Sequence, residues 1–357
     1  MLGYLISHVV HDPYPITYIH YFIDYHFGFT KRALIGAIVS LFTDKVPPWT
    51  VFAISGVILG LTFALYLRLF RKTFGFSDAT APIFFFLVCS PFFFKHLIKA
   101  MGYFDNWGIL VAVIILLLPA RSRWFVVAAG ACSVLLVLIH HLQTLLFVPL
   151  IAAIVIIRYY LPRTISRGDV AIGVVFIPII GLAFVAMQFF GEVQVSSAQL
   201  RNYLALRVGG TYDVERALTF SFIWFRTFSD EVRDTWAMIV PNVLRCWVYI
   251  ALIALHGPLV GYMRDSLRAI ASPVHRRVVV VLLAGITLGY LVIFATVFDY
   301  GRWMSGWVVC MFLMLHAIKT LPGTETVPPI ALNNRLAFYS GCLLSFYLKV
   351  GILAPWD

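Results

Sequence analysis

The sequence predicts an all-α protein that crosses a membrane about ten or eleven times. Of its 357 residues, 61% are hydrophobic and only 12% are charged, whereas a soluble domain usually has about a quarter charged residues. The apolar residues form long runs, and a helix of about 20 such residues crosses the hydrocarbon of a bilayer. Most connections between the runs are short, which leaves no room for a separate soluble domain. We therefore expect residues 1–357 to form a single membrane domain.

Apolar runs separated by turn-forming residues give the positions of the predicted helices. They lie near residues 49–69, 79–98, 104–120, 124–141, 142–160, 169–190, 236–261, 278–298, 303–319 and 336–353. Residues 1–10 are apolar but short, and as the end of a further helix they would raise the count to eleven. Two long connections, residues 11–48 and 191–235, hold much of the remaining chain.

The distribution of basic residues predicts which helix ends face the cytoplasm. Short basic turns follow alternate helices, and such loops stay on the cytoplasmic side of the membrane. The cytoplasmic side then has a net charge of +10, from 14 basic and 4 acidic residues; the outer side has +1, from 13 and 12. The total of +11 is thus mostly a topology signal, so nucleic acid is not needed as a partner. We expect an integral protein of a bacterial-type inner or plasma membrane.

Most of the unusual polar residues then fall on the extracytoplasmic side. They lie in the long connection 191–235 and in four short segments, residues 23–32, 99–106, 140–144 and 299–303. Each segment alone is typical of interfacial anchors or of a solvated ion pair. Charged and imidazole groups beside a bilayer are costly, however, and usually line a cavity or a path. Their joint occurrence predicts a polar funnel at the outer helix ends.

The acids and bases in these segments fit the transfer of a group from a phosphate. A carboxylate can remove a proton from a hydroxyl acceptor, and we predict Asp24 as the general base and Asp105 as a second, orienting acid. Basic side chains would hold the phosphate, Arg with bidentate contacts. The candidates are Lys31, Arg32 and Arg302. A site open to the bilayer and to outer water suits a polyprenyl-phosphate-linked sugar as donor.

Three more residues complete the predicted site. His140 or His141 would hydrogen-bond the donor or the acceptor, and Asp299 would orient Arg302 three positions later. No cofactor is expected. The five cysteines stand singly within apolar segments, and no Cys/His spacing suits zinc.

The layout resembles the GT-C superfamily of integral membrane glycosyltransferases. Members have a long first outer loop with a key acid that runs into juxtamembrane helices. In residues 11–48, Asp24 stands in an aromatic segment and the amphipathic stretch 31–39 follows it. A later long outer loop corresponds to residues 191–235, where residues 217–225 could form a second interfacial helix.

The resemblance implies transfer of a sugar from a polyprenyl-phosphate carrier to a glycan or lipid acceptor, with membrane lipids around the site. It also implies that Asp105 is the second acid. Many members have an acidic-x-acidic pair in the first loop, whereas this chain has Asp24-Tyr25-His26. Because a hard divalent ion prefers clustered oxygens, we expect a metal-free site.

The sequence leaves three other functions open. A polysaccharide polymerase or ligase that uses polyprenyl-pyrophosphate-linked glycans would need the same arginines and base. A lipid or solute transporter would explain Arg245 inside an apolar run, although the restriction of polar groups to one face favours catalysis over alternating access. A membrane acyltransferase could use His140 or His141, but such enzymes usually take acyl-CoA from the cytoplasm.

Overall fold

The fold is described from a computed structural model, which covers residues 15–78, 80–242, 256–297 and 299–324 and a few isolated positions. Over these residues the regular elements are helices, apart from one isolated β-bridge between Val46 and Val208. The all-α prediction is therefore confirmed for the described part of the chain. Residues 1–10, Arg245 and most of the predicted helix 336–353 lie outside it.

The helices follow one another along the chain as α1 to α16. The first seven are α1 (Pro15–Ile19), α2 (Leu34–Ser40), α3 (Pro48–Thr73), α4 (Ala81–Cys89), α5 (Phe94–Lys99), α6 (Asp105–Leu117) and α7 (Arg123–Ile139). They are followed by α8 (Gln143–Leu146), α9 (Val148–Val155, continued by a π-helical turn Ile156–Tyr160) and α10 (Arg167–Phe189). The last six are α11 (Ser197–Arg207), α12 (Val214–Ala217), α13 (Phe228–Asn242), α14 (Gly257–Arg268), α15 (Pro273–Thr296) and α16 (Tyr300–Ile318).

Five helices are long and apolar enough to cross a membrane, as in a polytopic membrane protein. They are α3, the stretch Gln143–Tyr160 that contains α8 and α9, α10, α15 and α16. The apolar helices α6 and α7 are shorter. Each of these seven overlaps a predicted span, whereas the count of ten or eleven stays a prediction.

Two predicted spans differ from the structure. The span 79–98 is broken between α4 and α5, because Pro91 disfavours helical geometry at Ser90 and cannot donate a backbone hydrogen bond. The start of the span 236–261 was also wrong. Helix α13 begins at Phe228, since Asp230 caps the turn by accepting hydrogen bonds from the backbone N–H and the hydroxyl of Thr227.

The buried side chains form two cores. The bundle core lies among the membrane helices and includes Phe70, Leu150 and Leu313. The loop core lies in the two long connections and includes Tyr18, Phe22, Leu200, Leu204 and Trp224. Trp107 packs against both cores, so the folded loops sit on one end of the bundle. We call this end, where α6 begins, α7 ends and α16 begins, the polar end.

Backbone contacts join the two long loops to each other. Val46 donates a hydrogen bond to the Arg207 carbonyl (2.8 Å), and Gly209 donates one to the Val46 carbonyl (3.1 Å). Within the first loop, α2 lies directly on the backbone of Ile23: a Cβ on Gly36 would be 1.8 Å from the Ile23 carbonyl oxygen. The predicted amphipathic stretch 31–39 is thus largely helical, as α2. The predicted helix 217–225 is instead the end of α12 followed by a 3₁₀ turn, Ser221–Trp224.

Candidate functional site

Arg32 stands at the polar end with an unusual backbone. Among the described residues it is the one non-glycine residue with a positive φ, +64°, a conformation that costs a side chain free energy and is frequent at functional sites. Its Nη1 lies 3.2 Å from Nε2 of His20, while its buried Nε has no hydrogen-bond partner in the described part of the chain. The structure therefore holds a guanidinium with unused donor capacity at a strained position.

Three buried imidazoles lie near this guanidinium. The rings of His140 and His141 occupy the break between α7 and α8 and stack with their centroids 5.3 Å apart. His20 lies between the rings of Phe104 and Trp224, at 5.3 and 5.8 Å. All three side chains are buried.

The surroundings of these imidazoles favour their neutral form. Burial lowers the pKa of His20, His140 and His141 well below the ordinary value of 6.5, and the charge of Arg32 lowers each further. A neutral imidazole has one N–H donor and one acceptor nitrogen. Nδ1 of His140 and Nδ1 of His141 have no hydrogen-bond partner among the residues that the structure describes, so both rings retain capacity for a ligand.

A second guanidinium, that of Arg302, lies between two carboxylates. Its Nε is 3.2 Å from Oδ2 of Asp105 and 3.1 Å from Oδ2 of Asp299. Its Cζ also lies 4.4 Å from the ring centroid of Tyr103 and 4.1 Å from that of Trp303, within cation–π range. The Nε of Arg302 and Oδ2 of Asp105 lack a well-aligned hydrogen bond, so the contact between them is an ion pair.

A small cavity adjoins this ion pair on the side of the bundle core. It holds about 10 Å³, roughly the space that one water molecule needs. Asp105, Arg302 and His96 line it together with apolar side chains of α6 and α16. Burial lowers the pKa of Arg32, the charge of Glu231 raises it, that of Arg302 lowers it and that of Asp105 raises it, so Arg32 lies near the ion pair. We therefore treat Arg32, His20, His140, His141, Asp105 and Arg302 as one site, the Arg32 cluster.

Lys31 points from the same strained turn toward the second long loop. Its Nζ donates to the Arg226 carbonyl at 3.1 Å, and its backbone N–H donates to the Gly191 carbonyl at 2.8 Å. Burial lowers the pKa of Lys31, Arg32 lowers it further, and Glu231 raises it. The ammonium group is thus already engaged by protein, unlike Nε of Arg32.

Asp24 belongs to another group of side chains. Its carboxylate pairs with Arg207 and accepts hydrogen bonds from the hydroxyls of Tyr203 (2.6 Å) and Ser40 (2.9 Å). The backbone N–H of His26 donates to its other oxygen at 2.9 Å. Burial and the bond to Asp24 raise the pKa of Tyr203 to about 12, which keeps that hydroxyl a donor. Asp24 therefore joins the first long loop to α11.

The structure thus brings together most of the predicted site residues. Arg32, Asp105, His140, His141, Arg302 and Asp299 lie at one place although they come from four distant segments. Lys31 is adjacent, and Asp24 makes its contacts elsewhere. Among the described residues, no group of three or more His, Cys, Asp or Glu side chains is placed to share a metal ion.

Of two groups that shape this end of the molecule, sequence reasoning missed His20 and could not rank Arg207 among the charged residues of its loop. His20 carried a signal, since it is the one basic residue in the aromatic run at 18–22. Arg207 carried none that separates it from the other arginines of its loop, because its partner Asp24 is 183 residues away in the chain.

Comparison of the chain with protein-family models, with curated proteins and with solved structures found no match.

Proposed function

We propose that the protein is a membrane glycosyltransferase that moves a sugar from a polyprenyl-phosphate carrier to a glycan or lipid acceptor at its polar end. The observation that carries the proposal is the Arg32 cluster itself. It combines two guanidiniums, three neutral imidazoles and a carboxylate at the ends of membrane helices. Such groups are costly beside a bilayer and are kept where they serve a site.

The two guanidiniums are the phosphate-binding groups of this proposal. Arg32 has a free Nε, and Arg302 makes ionic contacts that a phosphate could share or replace. Preorganised donors in a site of low dielectric stabilise the charge that develops on a leaving phosphate. His140 and His141 are neutral, so they can hydrogen-bond sugar or acceptor hydroxyls without adding charge.

The contacts favour Asp105 over Asp24 as the base. Both oxygens of Asp24 already accept hydrogen bonds from protein donors, four in all with the Arg207 contact. Oδ2 of Asp105 has an ionic neighbour but no aligned donor, and the small cavity adjoins it. A base must reach the proton that it removes, and Asp105 has the less occupied oxygen.

The transfer balances with these groups. The acceptor oxygen forms a bond to the anomeric carbon of the sugar, and the bond from that carbon to the phosphate oxygen breaks. The electron pair leaves with the carrier phosphate, where Arg32 and Arg302 stabilise it. The acceptor proton passes to Asp105. The distribution of basic residues in the chain supports an outer location for this chemistry.

Turnover by the purified full chain in liposomes tests the proposal. Liposomes would contain radiolabelled polyprenyl-phosphate-linked sugars and extracted membrane glycolipids, and labelled product would be counted. We expect Arg302→Ala and Asp105→Asn each to lower the rate about 100-fold or more, as loss of one preorganised group does elsewhere.

Arg233→Ala is the matched control. Arg233 is an exposed arginine of α13 that pairs with Asp230 at 2.8 Å, and we expect full turnover in that variant. Unchanged turnover in both Arg302→Ala and Asp105→Asn would contradict the proposal. Turnover with a pyrophosphate-linked oligosaccharide alone would support a polymerase or ligase instead.

A further inference from the structure

An exposed aromatic loop, residues 25–29, connects the carboxylate of Asp24 to the strained turn at Arg32. The side chains of Tyr25 and Phe29 are 36% and 44% exposed, and their ring planes are parallel within 6°, with centroids 6.3 Å apart. Gly28 turns the chain between them with φ +90°, in open space. The loop thus carries two parallel, partly exposed rings.

The middle of the aromatic loop is fixed to α11. The exposed imidazole of His26 stacks on the ring of Tyr203, with centroids 4.6 Å apart and planes within 9°. Phe27 packs edge-on against the same ring at 5.1 Å. The ring of Tyr203, which belongs to the second long connection, therefore supports the loop.

Asp24 contacts both the aromatic loop and the Tyr203 side chain on which the loop packs. One oxygen accepts from the backbone N–H of His26, and the other accepts from the Tyr203 hydroxyl and pairs with Arg207. A fixed aromatic surface loses little conformational entropy when it binds a ligand. Asp24 accordingly preorganises the loop.

We propose that the aromatic loop is a saccharide-binding platform that holds the acceptor glycan, with Asp24 as its positioning residue. The choice of acceptor rests on the proposed function. A pyranose ring has apolar C–H faces and a rim of hydroxyls, so it matches flat exposed rings with polar atoms at their edges. The loop supplies such atoms in the Tyr25 hydroxyl and the His26 imidazole.

Position argues against the bilayer as the occupant. The most exposed apolar side chains between α2 and the first turn of the membrane helix α3 are Leu41, Phe42 and Trp49, 80%, 83% and 67% exposed, and we expect these to meet lipid. The aromatic loop is fastened instead to α11, a polar helix that carries Gln199, Arg201 and Asn202.

Saccharide binding by the full chain in detergent, without any donor, tests this inference. The probes are maltopentaose, cellopentaose and chitopentaose, followed by saturation-transfer NMR and calorimetry. We expect at least one to bind, and Tyr25→Ala and Phe29→Ala each to weaken its binding about tenfold or more. Phe42→Ala, an exposed aromatic outside the platform, should bind as the wild type does.

Asp24→Asn separates positioning from folding. We expect it to weaken saccharide binding in protein whose membrane bundle still unfolds cooperatively, and the control Arg233→Ala to leave binding unchanged. Binding of none of the probes by the wild type, or equal binding by Phe29→Ala, would overturn the inference. A spin label at Phe29→Cys that contacts oxygen in the bilayer rather than a water-soluble nickel chelate would also overturn it.

The two proposals fail separately. Saccharide binding without turnover would support the platform proposal and contradict the transferase proposal. Turnover that Tyr25→Ala and Phe29→Ala leave unchanged, together with unchanged binding, would leave the transferase and remove the platform.

Discussion

Arg32 keeps a left-handed backbone that costs a residue with a side chain roughly 1–2 kcal/mol. Comparing Arg32→Gly with Arg32→Ala separates this strain from the loss of the guanidinium, because both variants lack the guanidinium but only glycine, which has no Cβ, tolerates the conformation. We expect the glycine variant to be more stable than the alanine variant by about 1 kcal/mol. Both should lose turnover. Thermal unfolding in detergent and the liposome assay measure the two effects.

The matched position for this comparison is Ala37 of α2, a residue of the adjoining helix. There, replacement by glycine should destabilise the protein, since glycine costs about 1 kcal/mol in a helix. Equal stability of Arg32→Gly and Arg32→Ala would mean that the left-handed turn carries no strain.

His20 should make the stability of the folded protein depend on pH. Its pKa is lowered in the folded protein, by burial first and then by the charges of Arg32 and Arg302, so protonation favours the unfolded chain. The stability it contributes is present above about pH 6.5 and is lost as the pH falls below that value. Unfolding temperatures from about pH 7.5 to about pH 5 should fall more steeply in the wild type than in His20→Gln. Identical slopes would show that His20 is not buried in neutral form.

At the scale of elements, the apolar runs predicted the positions of seven helices, five of which are long and apolar enough to cross a bilayer. Interruptions were harder to predict. The break at Ser90 follows from Pro91, a signal present in the sequence but outweighed by the apolar run around it. The helix start at Phe228 depends on a local cap at Thr227 that hydropathy does not report.

Helix α2 offers a test of how the first long loop is packed. A Cβ at Gly36 would lie 1.8 Å from the Ile23 carbonyl, so Gly36→Ala should push α2 off that backbone and destabilise the loop by roughly 1–3 kcal/mol. Limited proteolysis should then cut faster in residues 23–47. Gly56→Ala is the control, because nothing lies within 4 Å of its added Cβ. Equal cleavage rates in both variants would contradict this packing.

At the scale of the whole molecule, the sequence could assign the site residues to one end but could not pair them. Arg302 and Asp299 are three residues apart, so their contact was predictable from helical spacing. The pairs Arg302–Asp105 and Arg207–Asp24 join segments that are far apart in the chain. Which acid each arginine contacts depends on how the loop core packs on the bundle. In this packing Asp24 lies apart from the Arg32 cluster.

The orientation of the whole bundle in the membrane can be tested by chemical labelling. Basic turns stay in the cytoplasm, so the polar end should face outward and Arg167, exposed at the first position of α10, should face inward. In intact cells, a membrane-impermeant maleimide should label Arg233→Cys, while Arg167→Cys should react only after permeabilisation. The wild type is the control, because its described cysteines, Cys89, Cys132 and Cys310, are buried or half-buried. The reverse pattern would place the Arg32 cluster in the cytoplasm, where an outward-facing carrier sugar could not reach it.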